Sequence, residues 1–122
     1  MLNGKTSLEA TVFFIHSIIH RRCPEAFCVL HTHMRYATAL SMLQNGRVEL
    51  AVQGALKFYG QIAYYDQFSG LVLDGSEGDR LAEALDNKRI LFLSNHGIII
   101  VGRNVAHAFN DLYYLEQVCV PK

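Results

Sequence analysis

Three histidines carry the chemistry this sequence could perform. His31-Thr32-His33 closes the run Phe27-Cys28-Val29-Leu30, which is apolar and aromatic enough to form a strand. Successive side chains of a strand point to opposite faces, so His31 and His33 point the same way. At roughly 3.3 Å rise per residue their Cα atoms lie about 6.6 Å apart. Imidazoles at that separation can converge on one zinc ion through nitrogens about 2.0–2.1 Å from it. The third is His96, between the apolar runs Ile90-Leu91-Phe92-Leu93 and Ile98-Ile99-Ile100-Val101. A histidine at the tip of a hairpin can project beyond its sheet. Together the three give the ligand count of an open catalytic zinc site, with water or substrate in the fourth position. Such a cation can polarise a carbonyl oxygen or activate a water. The same spacing also serves histidines that only hydrogen-bond to backbone, and spacing alone does not separate the two.

The remaining polar candidates have simpler roles. His16 and His20 stand one turn apart in an otherwise apolar segment, where packing or a hydrogen bond accounts for them as well as a metal would. His107 falls in the first turn of the last helix and is expected at the surface. Cys28 is three residues from His31, hence on the opposite face of its strand. Cys23 and Cys119 read as packing residues, and Tyr64, Tyr65, Tyr113 and Tyr114 as core or interface material.

The elements that must position these residues follow from periodicity. Thr6-Ser7-Leu8-Glu9 has the form of a capping box and opens a helix with Leu8, Val12, Ile15 and Ile19 on one face. That helix ends before Pro24. A strand over 26–32 follows, then a helix over 36–44 ended by Asn45-Gly46. Residues 47–58 are ambiguous between strand and helical turn. A strand over 61–65, an extended piece at Leu71-Val72-Leu73 and a helix from about Ser76 to Leu85 come next. The two strong strands near 90–94 and 98–101 make a tight hairpin in which Gly97 is expected to supply a positive φ. Asn104 caps a final helix with Ala108, Phe109, Leu112, Leu115 and Val118 inward.

Composition narrows the setting. The 122 residues are 51% apolar and 18% charged, with no net formal charge, which suits one domain with one core. A balanced charge offers no field for a nucleic acid or an anionic membrane. No stretch is long enough to span a bilayer, and the N-terminus lacks a signal-peptide pattern. Three irregularly spaced cysteines suit a reducing, cytoplasmic setting. Zero net charge and an apolar composition favour association with further subunits.

Over roughly Ser7 to Cys119 the chain resembles the class II aldolase/adducin head domain family. The resemblance is carried by Phe27-Cys28-Val29-Leu30-His31-Thr32-His33 before a small-residue helix, and by Leu93-Ser94-Asn95-His96-Gly97 with Gly102 beyond. The His16 helix, Pro24 and the Leu115-Glu116 pair of the last helix also match. It implies a three-layer α/β/α sandwich around a mainly antiparallel sheet, a homo-oligomer (a tetramer in the family), and His31, His33 and His96 as ligands to Zn2+ or another divalent metal. It further implies carbon–carbon cleavage of a small hydroxylated carbonyl compound or sugar phosphate. The alternative within the family is an adducin-like domain without activity, acting as a structural or interaction module.

The sequence departs from the enzymes of that family in three places. Val12 stands where they carry an acid/base glutamate, leaving Glu9 as the nearby carboxylate; the preceding serine pair is Ala10-Thr11 here. Residues 1–122 read as one such domain, shortened at the N-terminus, without the Gly-Asn phosphate loop, and ending inside or just after the last helix. The region of the aldolases' catalytic tyrosine, about Gln53-Gly54, has none, although Tyr59, Tyr64 and Tyr65 follow.

Overall fold

The structure, a computed structural model, describes residues 15–43, 46–48, 53–66 and 75–120. Helix α1 covers residues 15–22. Strand β1 (Cys28–Thr32) and helix α2 (Arg35–Ser41) follow, then a 3-10 segment (Gln53–Phe58) and strand β2 (Ile62–Tyr65). Helix α3 (Gly75–Leu85), strands β3 (Ile90–Leu93) and β4 (Gly97–Gly102) and helix α4 (Val105–Cys119) complete the order. The expected capping box, Glu9, Val12 and the Leu71-Val72-Leu73 piece lie outside the described residues.

The four strands form one sheet in the order β1-β4-β3-β2. β4 is antiparallel to both β1 and β3, whereas β2 runs parallel to β3. The sheet is therefore mixed and mainly antiparallel. The parallel pair arises because β2 and β3 are joined through α3, a crossover that returns the chain in the same direction.

The central strands β3 and β4 explain their own sequence. From Ile90 to Leu93 and from Gly97 to Val101 every residue is buried, so the strands read as continuous apolar runs and do not alternate. Ile98, Ile99 and Ile100 are fully enclosed, each such side chain contributing about 1.5–3 kcal/mol relative to exposure. Alternation along these strands divides the core in two. Leu91, Leu93, Ile99 and Val101 meet Ile15 and Ile19 of α1 and Leu81 and Leu85 of α3. Ile90, Phe92, Ile98 and Ile100 meet Ala37 of α2, Phe58, and Ala108 and Leu115 of α4. Helices on both faces of one sheet make the expected three-layer α/β/α arrangement.

Local expectations fare unevenly. Asn104 does cap α4, its side chain accepting a hydrogen bond from His107 N–H at 2.8 Å. Helix α2 stops at Ser41, three residues short of Gln44, and β1 starts at Cys28, two residues later than Ala26. Gln53–Phe58 takes the helical alternative. Among the described residues no helix is long and apolar enough to cross a membrane.

Candidate functional site

His31 belongs to the sheet itself. It pairs with Ile99 across the β1–β4 ladder, which places its side chain on the face of Val29, toward α1. His33 lies just past the end of β1, and His96 in the turn between β3 and β4. Antiparallel pairing sets the end of β1 beside the start of β4, since Thr32 pairs with Ile98. Three histidines from two distant parts of the sequence thus meet at one end of the sheet.

The ring centroids of His31 and His33 are 5.5 Å apart, those of His31 and His96 5.1 Å, and those of His33 and His96 4.6 Å. Each ring offers one nitrogen, and the three nitrogens all lie within 4.8 Å of one another. His33 Nε2 and His96 Nε2 are 3.3 Å apart. Two nitrogens bound to one tetrahedral zinc at about 2.0–2.1 Å would stand about 3.3–3.4 Å apart, so this pair already has the needed spacing. Among the described residues no carboxylate or thiol joins the group.

His31 Nε2 is the most telling atom. It is buried and has no hydrogen-bond partner, a condition that costs about 1–3 kcal/mol when nothing offsets it. Burial, followed by the neighbouring His96, His33 and His16, lowers the His31 pKa from 6.5 to about 4. Burial and then His33 lower that of His96. At neutral pH these two rings are therefore uncharged and keep a nitrogen lone pair. An enclosed, unpartnered nitrogen on a neutral ring beside two further imidazoles fits a soft-to-borderline divalent cation.

Gly97 is part of the site. A Cβ at this position would stand 2.6 Å from His33 Cδ2 and 2.6 Å from the Thr32 carbonyl oxygen. Only glycine lets the β4 backbone pass so close to the His33 ring. This corrects the expected role of Gly97: the left-handed residue of the turn is Asn95, with φ 59°, a conformation asparagine tolerates. The turn is closed by His96 N–H donating to the Leu93 carbonyl at 3.0 Å and tied to β2 by Ser94 N–H donating to the Tyr65 carbonyl at 3.1 Å.

The other candidates lie elsewhere. His16 on α1 influences His31 and is itself held below its usual pKa by burial and then His20. Cys28 faces the α4 side of the sheet, packed with Leu30 against the second core. Burial pushes the Cys23 thiol up, and burial with Glu116 pushes Cys119 up to about 12, so neither is a nucleophile at neutral pH. Tyr64 is occupied, its hydroxyl accepting from Val48 N–H at 3.0 Å. A cleft of about 720 Å³ opens at the opposite end of the sheet, lined by Arg89, His107 and Asp111 among others. His107, exposed as expected, borders it. Two residues that matter to this architecture had no role assigned from the sequence: Asp111, and Glu116, which entered only as part of the Leu115-Glu116 match. Both are charged residues on an amphipathic helix, and nothing local marks them as buried or bonded.

The sequence profile of the Class II Aldolase and Adducin N-terminal domain matches residues 2–120. An adducin-related protein of Schizosaccharomyces pombe is 39% identical over 101 residues, covering 83% of this chain and 30% of that protein. In three dimensions the chain resembles an aldolase II superfamily protein from Pseudomonas syringae, with TM-score 0.80 and 37% identity over 88% of this chain and 42% of the other. It also resembles an L-fuculose 1-phosphate aldolase from Glaciozyma antarctica, with TM-score 0.73 and 32% identity over 89% of this chain and 40% of the other. The chain spans less than half the length of each of these proteins.

Proposed function

The chain belongs to the class II aldolase and adducin N-terminal domain family, and from that premise we propose that it is a zinc-binding member of the aldolase type. In this reading His31, His33 and His96 hold the cation, and the substrate is a small hydroxylated carbonyl compound or sugar phosphate cleaved at a carbon–carbon bond. The observation that carries it is the convergence of three imidazoles, one of them with a buried, unpartnered nitrogen, His31 Nε2. A divalent cation in such a set, when bound, supplies a Lewis acid for the substrate's carbonyl oxygen.

The chain's own residues then have separable tasks. His31 is anchored in the β1–β4 ladder and fixes the floor of the site. Burial keeps it neutral, so its lone pair needs no deprotonation before binding. His33 and His96 approach from the two loops and complete the set, with Gly97 leaving room for the His33 ring. No carboxylate among the described residues joins the three nitrogens, so the donor set is neutral and leaves the cation's charge available to a substrate oxygen. Moving a proton requires a further group. Val12 has no proton to give, and Glu9 is the nearby carboxylate we assign to that task.

A second reading, an adducin-like module without activity, is favoured by Val12 and by the similarity to the S. pombe protein. We further read residues 1–122 as one domain that assembles into a homo-oligomer. Exposed Val105, Tyr113 and Tyr114 on α4 support this, with Phe109, which was expected inward and is exposed instead; a monomeric mass by light scattering at micromolar concentration would count against it.

Metal analysis of the purified, reloaded protein tests the centre. One equivalent of zinc is expected in the wild type, and loss of stoichiometric binding in His96→Ala. A carbonyl-cleavage screen of the same two proteins then separates the enzyme from the module. Turnover in the wild type that disappears in His96→Ala supports the lyase, and equal turnover in both removes it.

A further inference from the structure

We infer that Glu116 is a positioning residue for the histidine centre, acting through helix α2. The inference rests on the proposal that the three histidines hold a cation.

Two of the three histidines lie off the sheet. His31 is held by strand pairing, but His33 follows the end of β1 and His96 occupies a turn. Helix α2 connects to both. Its N-terminal flank Met34 follows His33 directly. At its other end the Ser41 carbonyl accepts a hydrogen bond of 2.9 Å from the N–H of Asn95, the residue before His96. Ser41 and Ala37 are buried, so the helix is a strut seated on the core between the two histidine-bearing loops.

A seven-residue helix is far too short to hold its own shape in water, and its first N–H groups need partners. Met34 provides no side-chain cap. The partner comes from α4. Glu116 Oε2 accepts from Tyr36 N–H at 2.8 Å and Oε1 accepts from Ala37 N–H at 2.9 Å. Both carboxylate oxygens are used, and the negative charge complements the positive end of the helix. Leu115, beside Glu116, is fully buried in the second core, so α4 is a fixed base for this clamp. Glu116 reaches none of the three imidazoles. It fixes the start of the strut, and through it the geometry that brings His33 Nε2 and His96 Nε2 to 3.3 Å.

The test uses the full chain with zinc and cobalt(II) as probes. Zinc affinity is measured by competition with a chromophoric chelator, and ligand geometry by the visible absorption of the cobalt-loaded protein. Wild type, Glu116→Ala, Glu116→Gln and Leu112→Ala are compared. Glu116→Ala is expected to bind zinc about 10- to 100-fold more weakly, the range seen when groups that orient metal ligands are lost, with a displaced cobalt band. Glu116→Gln keeps one oxygen acceptor and should fall between. Leu112→Ala loses core packing on the same helix but leaves the clamp intact, and should keep the wild-type band.

A folded Glu116→Ala with wild-type affinity and spectrum overturns the inference. So does a Leu112→Ala protein whose band shifts equally, because the effect would then be general loosening. If Glu116→Ala does not fold, Glu116→Gln and amide exchange in the wild type decide. Protected Tyr36 and Ala37 N–H groups support the clamp, and exchange at unfolded-chain rates removes it. A wild type that binds neither metal shows instead that the histidine centre is not a cation site, and the positioning role falls with it.

Discussion

The two ends of the sheet each enclose polar atoms, and they treat them differently. At one end the Asp111 carboxylate is buried, and the protein answers it with cations of its own: Lys57 Nζ at 3.3 Å and Arg89 at 3.4 Å. At the other end His31 Nε2 is buried and nothing answers it. Both arrangements take a polar group out of water; the Asp111 carboxylate is answered within the described residues, although Nε of its partner Arg89 is itself buried without a hydrogen bond, and His31 Nε2 is not answered. The contrast teaches where to look for function. A buried polar group that the fold satisfies belongs to stability, whereas one left open beside two similar groups is held ready for something from outside.

The largest effect that would sharpen this comparison is in the pH dependence of the metal-free protein. An unfolded histidine takes its proton near 6.5, but folded His31 stays neutral to about 4. Between those values the unfolded state binds more protons, so stability rises with pH and is lost as pH falls from about 6.5 to about 4. The expected loss is about 3 kcal/mol, read from urea melts in chelator across that range. A flat profile would mean that His31 is not held neutral by the fold.

Gly97→Ala comes next. The Thr32 carbonyl is backbone and cannot swing away from the new methyl group, and the His33 ring must move. A destabilisation of about 1–3 kcal/mol, together with weaker zinc binding, is expected from denaturant melts and metal titration. Wild-type values in both would show that the close passage of β4 past His33 is not required.

Asp111→Ala tests the closed end. Lys57 and Arg89 are each part-exposed and can return to water, so the loss should be about 1–2 kcal/mol, below the value for a fully buried pair. Zinc affinity should be unchanged. His31→Leu tests the open end, and its sign is the point. Exchanging an unpartnered buried nitrogen for an apolar side chain should raise the stability of the metal-free protein by about 1 kcal/mol while abolishing metal binding. If His31→Leu destabilises as Asp111→Ala does, the two ends are alike and the contrast fails.

Much of the core was legible in the sequence. Four apolar residues in succession at 90–93 and again at 98–101 suit strands covered on both faces, as they are in the fold, and helices with one apolar side do the covering. Asn104 was legible as a cap because capping is local. The histidines were legible as candidates because a strand's two-residue period puts His31 and His33 on one side. The parallel pairing of β2 with β3 was not legible, since it depends on the path of α3 and not on either strand's composition. Gly97 was legible as special but for the wrong reason: its neighbour Asn95 takes the left-handed conformation, and the His33 ring that demands a glycine is 64 residues away in sequence. The contacts of Glu116 and Asp111 were not legible because their partners, Tyr36 and Ala37 for the one, Lys57 and Arg89 for the other, are separated from them by long stretches of chain.

The sequence by itself determined the donor types, the two apolar strands that carry or flank them, and the family motifs in which they sit. Periodicity and capping act over a few residues, and a few residues suffice to read them. Tertiary structure alone decided that His96 meets His31 and His33, that His31 Nε2 is enclosed without a partner, and that α2 is clamped by a carboxylate 80 residues further along the chain. Those are facts of distance and burial, and they exist only after antiparallel pairing has folded the ends of β1 and β4 against each other.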